Sequence, residues 1–117
     1  MPEQSLAELA ISLREFAAER DWDQFHSPKN LAMALLVEAS ELMEHFQWLT
    51  EEQSSALPPE KLQKVREEIG DVLIYLTRLA DKLGIDPLRA AVEKFEANRT
   101  KYPAGKVRGS AKKYTEL

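Results

Sequence analysis

Cysteine is absent from the chain. Its absence removes disulfides, thiolate zinc sites and cysteine nucleophiles, and it suits a reducing, cytoplasmic setting. No nearly apolar run approaches the roughly 20 residues of a membrane-spanning helix, and the opening MPEQSLAEL has neither the basic nor the apolar region of a signal peptide. A dominant basic surface is also missing, so neither a nucleic acid nor a membrane is expected as a partner. There is no alternating strand pattern, no G-x-S-x-G and no Walker A loop. Gly105-Lys106 lacks both the upstream glycine and the following Ser/Thr. No protein nucleophile is evident in these patterns.

The 117 residues suffice for one domain with a real core. The net charge of −4 hides a polarity: nine acidic against three basic residues from Glu38 to Asp71, then five basic against one acidic from Lys101 onward. The acidic middle suits cations. Helical spacing of Leu6, Leu9, Leu13 and Phe16 after the Ser5-x-x-Glu8 capping box predicts a first helix over about 5–20. Ser27-Pro28 opens a second over about 28–48, Pro59 a third over about 60–83 ended by Gly84, and Asp86-Pro87 a fourth that Tyr102-Pro103 stops. Thr50–Gln53 predicts a short helical turn between the second and third. The expected architecture is all-α, a four-helix bundle-like protomer over 1–103 followed by a basic, flexible tail over 104–117. Leu31–Val37 and Ile69–Leu76 are apolar nearly all round, which predicts burial against a second copy and hence an oligomer.

Within those helices lie two faults. Glu38 falls in the apolar row between Leu35 and Leu42, with Glu41 about 60° around the helix. Glu68 and Asp71 repeat the offset among Val65, Val72 and Leu76. An unpaired carboxylate in an apolar stripe is unfavourable, and four together stay ionised only beside positive charge. All-oxygen ligands select a hard cation, so Mg2+ is expected, with Mn2+ as a substitute. A ferritin-like di-iron site would need Glu-x-x-His on two helices, and His45 follows Glu41 by four residues rather than three. Solvated helix faces in a non-enzymatic oligomerisation or interaction module are the alternative reading. Trp22 and Phe25 beside His26 would suit stacking on a base. Tyr75 lies one turn beyond Asp71, and Trp48 closes the second helix as a base contact or a packing anchor.

Glu38-x-x-Glu41 followed by Glu68-x-x-Asp71 resembles the E-x-x-E…E-x-x-D signature of the MazG-like all-α nucleoside triphosphate pyrophosphohydrolases. FAAERDWDQFHSPKNLAMALLVEASELMEHFQW, EEIGDVLIYLTRLA and KFEANRTKYP are similar to stretches of its dCTP pyrophosphatase branch, and the likeness spans residues 6 to 103. The resemblance implies a homotetramer built as a dimer of dimers. It also implies Mg2+-dependent hydrolysis of dCTP or modified dCTP to the monophosphate and diphosphate. Glu38, Glu41, Glu68 and Asp71 match the metal ligands. Trp22, His26, Trp48 and Tyr75 match base and sugar contacts, and Asn98, Lys101 and Tyr102 match the motif that closes on the nucleotide. The animal dCTP enzymes carry a histidine in the first helix where this chain has Leu13, which bears on substrate preference. The expected mechanism is attack of a metal-activated water on the α-phosphorus, with Glu38 or Glu41 taking the proton. Another phosphoanhydride on the same cluster is the alternative substrate.

Overall fold

The computed structural model describes residues 2–111 and 114–116. Among them there are helices and turns and no strand, in keeping with the all-α expectation. The chain divides into two compact units, Met1–Ile85 and Asp86–Leu117.

The first unit contains α1 (Leu6–Glu19), a 3-10 turn (Asp23–Phe25), α2 (Pro28–Glu44), α3 (Glu51–Ser54) and α4 (Pro59–Lys82). Each start carries a local signal. Ser27 accepts from the Asn30 N–H at 3.1 Å with Pro28 in the first turn. Thr50 and Gln53 form a reciprocal capping box. At α1, Ser5 accepts from the Glu8 N–H, but Glu8 reaches past Ser5 to the Gln4 N–H at 3.1 Å, so the expected box is offset by one residue. Helix α2 ends at Glu44 rather than 48, because His45 and Phe46 tighten onto carbonyls three residues back.

Helix α4 is the axis of this unit, with α2 and α1 packed along it. His26 meets Arg78 while His45 lies near Glu68, so α2 and α4 run antiparallel. The buried apolar residues are Ala17, Leu31, Val65 and Ala80, joined by buried Thr77 and Arg78. Helix α4 closes in a Schellman motif: Ile85 N–H donates to Ala80 O and Gly84 N–H to Asp81 O, with Gly84 at φ 67°. Large side chains remain exposed on the outer faces of α2 and α4, Leu36 at 71% and Ile69 at 53% among them.

The second unit contains α5 (Pro87–Lys101), α6 (Ala104–Val107) and a 3-10 turn (Tyr114–Glu116). Asp86 caps α5 by accepting from the Arg89 N–H at 3.1 Å. The sequence expectation for the tail reaches residues 112, 113 and 117, which lie outside the described ones.

Candidate active site

Helical geometry turns Glu38 and Glu41 of α2 toward α4, and Glu68 of α4 faces them. One carboxylate oxygen from each of the three lies within 4.8 Å of the others, and all three residues are half-buried. Oε2 of Glu38 and Oε2 of Glu68 are buried without a hydrogen-bond partner, a condition native proteins avoid unless something else satisfies the group. Burial first, then the adjacent Glu41, pushes the Glu38 carboxyl up from the ordinary 4.5. Burial, then Glu41 and Asp71, pushes Glu68 up as well, with His45 opposing. The His45 Nε2 atom is 3.9 Å from Glu68 Oε1.

Asp71, the fourth acidic residue of the sequence pattern, is exposed and does not join this three-way convergence. Its negative charge still acts on both Glu38 and Glu68. Asp71 also lines a cavity of about 360 Å3 with Leu13, Phe16, Trp22, His26, Tyr75 and Arg78. The acidic cluster and the aromatic cavity are thus neighbours along α4. Volumes of this order are typical of small-molecule sites, which combine apolar walls with few polar groups.

A backbone device presents the aromatic wall. Helix α1 ends with Asp21 in the left-handed region at φ 54°. Asp21 N–H donates to Ala18 O and Trp22 N–H to Ala17 O, a Schellman turn without glycine. It folds Trp22 back so that its ring meets Phe16 edge-on at 5.6 Å, the apolar contact that often accompanies this motif. Gln24 braces the turn by donating to Asp21 Oδ2 and O, each at 3.0 Å.

Of the sequence-predicted nucleoside contacts, Trp22, His26 and Tyr75 line the cavity. Trp48 is 87% exposed beyond α2 and is not part of that wall. Asn98 and Lys101 lie in the last turn of α5 and Tyr102 is its C-cap, in the second unit. Leu13 of α1 forms part of the cavity wall.

Sequence reasoning missed Arg78. It is 4% exposed, donates to His26 Nδ1 through Nε at 3.2 Å, and also donates to Asp23 and Asp81. Asp81 is gripped by Arg14 at 2.6 and 3.1 Å, and Lys82 reaches Asp23 at 2.7 Å. The available signal was a lone cation in Leu76–Ala80, directly after the apolar run Val72–Leu76, since arginine is rarely buried unless paired.

The chain has relatives among known proteins. The profile of the MazG-like family matches residues 33–117. The chain is 48% identical to dCTP pyrophosphatase 1 of Mus musculus over 118 residues, covering 99% of this chain and 69% of that protein. It is 45% identical to dCTP pyrophosphatase 1 of Homo sapiens with the same coverage. A crystal structure of a pyrophosphatase from Archaeoglobus fulgidus superposes with a TM-score of 0.80 at 40% identity, over 88% of this chain and 96% of that one.

Proposed function

The chain belongs to the MazG-like family, and from that premise we propose that it hydrolyses nucleoside triphosphates to the monophosphate and diphosphate. The substrate is dCTP or a modified dCTP, and the required ion is Mg2+. The observation that carries this reading is the convergence of Glu38, Glu41 and Glu68, with two orphaned buried oxygens, beside an aromatic-walled cavity.

The donor set fits a hard dication. It offers only carboxylate oxygens, held close together and incompletely satisfied by the protein. Glu38, Glu41 and Glu68 would hold the ion, with Asp71 as the fourth ligand. When bound, it supplies charge neutralisation for the phosphate oxygens and acidifies a water molecule. The remaining work falls to the chain. Phosphoanhydride cleavage depends mainly on positioning and electrostatic stabilisation, so no covalent nucleophile is required. Trp22, His26 and Tyr75 hold the base and sugar, which fixes where the α-phosphorus lies relative to the acids. Glu38 or Glu41 accepts the proton of the attacking water. Trp48, and Asn98, Lys101 and Tyr102 of the family's last motif, are proposed as further nucleotide contacts. The exposed apolar faces of α2 and α4 support assembly into a homo-oligomer, with a dimer of dimers as the proposed form.

The test is diphosphate release from a panel of triphosphates with Mg2+, including dCTP and base-modified dCTP. Release is expected to vanish in EDTA and in the Glu38→Ala variant. Glu41→Gln separates the two candidate bases: a loss of about 100-fold or more in turnover with Mg2+ binding retained assigns the proton to Glu41. Diphosphate release that survives chelation and Glu38→Ala would refute the reading.

A further inference from the structure

Arg78 is one of the residues lining the cavity, and its bond to His26 has a chemical consequence. An arginine guanidinium is never deprotonated in proteins and offers only donors. Its Nε donates to His26 Nδ1 at 3.2 Å, so Nδ1 must carry a lone pair. The proton of the neutral ring therefore sits on Nε2, which makes no hydrogen bond among the described residues. His26 lines the cavity with Trp22, Tyr75 and Asp71.

We propose that Arg78 is a positioning residue that locks His26 in its Nε2–H form, so that the cavity reads a hydrogen-bond acceptor on the nucleoside. This rests on the nucleotide reading above and deepens it by giving the polarity of one contact. A donor group at that place on the ligand would meet another donor and be rejected.

The surroundings hold the arrangement. Arg78 is 4% exposed and is anchored by Asp23 of the 3-10 turn and Asp81 of its own helix. Arg14 of α1 holds Asp81 and Lys82 of α4 holds Asp23. The charged groups around His26 are therefore Arg78 and Lys82 on one side of the balance and Asp23 on the other. Burial first, then the two cations, pushes His26 below its ordinary 6.5 against the pull of Asp23. A neutral imidazole is what a fixed tautomer requires.

Nitrogen-15 NMR of the intact resting protein tests this without turnover. The expected spectrum has a pyridine-like Nδ1 and a protonated, pyrrole-like Nε2 at His26. Adding a deoxynucleoside monophosphate is expected to shift the Nε2–H resonance. Arg78→Met is expected to mix the tautomers, return His26 toward its ordinary titration range, and raise KM roughly fivefold with kcat little changed. Arg78→Lys should restore part of the bias. A wild-type ring protonated on Nδ1, or an Nε2–H resonance unmoved by saturating monophosphate, overturns the proposal, and both readouts need no variant to fold. If no triphosphate is hydrolysed while both signatures appear, the activity reading falls and this one stands.

Discussion

Glu38 and Glu68 contribute one limb of the protein's pH response. Both carboxyls are raised from 4.5 by burial and by neighbouring acids. A raised folded-state value means the contribution is present below about pH 4.5 and is lost as pH climbs through the raised range. Asp23 and Asp81 act in the opposite sense. Held low chiefly by Lys82 and Arg14 respectively, they support the fold above their ordinary 3.8 and lose that support as pH falls. His26, lowered from 6.5, also disfavours acid. Comparison within one residue isolates the cluster. In EDTA, Glu38→Gln is expected to melt above the parent at about pH 8, with the gap closing toward about pH 4.5. Adding Mg2+ should raise the parent's melting temperature more than the variant's. Differential scanning fluorimetry across pH reads both effects, and a variant gap that does not vary with pH would count against the crowding argument. At this scale the inward acids were legible because helical period sets Glu38 and Glu41 on one face of α2 and Glu68 in an apolar row of α4, whereas Asp71, part of the same pattern, is exposed outside the convergence. Arg78 was not, since its partners come from 52 and 55 residues away in sequence.

At the scale of the element, the helix starts were written in short local patterns: serine or aspartate before proline at α2 and α5, and threonine with glutamine at α3. Local hydrogen bonds decide such sites, so sequence suffices. The ends were less legible. Gly84 announced the left-handed stop of α4, and α1 ends at Glu19, close to the expected 20, but α2 stops at Glu44 rather than 48 with no glycine to mark it. Gly84→Ala makes the cost of this conformation measurable. No neighbour crowds the added methyl, so the strain of φ 67° remains as the whole effect. Stability should fall by about 1–2 kcal/mol in urea unfolding, with diphosphate release unchanged in the folded fraction. A change within a few tenths of a kcal/mol would mean that the turn relaxes.

For the whole molecule, the outward faces matter most. Met33, Leu36 and Val37 on α2 are 59%, 71% and 54% exposed, and Ile69, Leu73 and Leu76 on α4 are 53%, 40% and 40% exposed. Each set recurs at helical spacing, so it forms a stripe rather than scattered side chains. Stripes of this kind mark association surfaces. Light scattering is expected to give a mass of at least two 13.3 kDa chains, and Leu36→Asp to lower it. A parent that runs at the single-chain mass across micromolar concentrations contradicts the homo-oligomer. The sequence announced these faces through helices apolar nearly all round. It could not show how the chain divides, because the break after Ile85 depends on contacts between distant segments.

None of the three converging acids sits on the segment joining α2 to α4. Two packed rods fix their spacing, and the strap between them is free to vary. Inserting a few flexible residues near Ser55-Ala56 would add only a fraction of a kcal/mol in closure entropy, roughly 0.6 per doubling of loop length. A single residue added between Leu31 and Glu38 would swing both α2 acids through about 100° and dismantle the cage. Length variation among natural variants should therefore gather in the strap and avoid the rods.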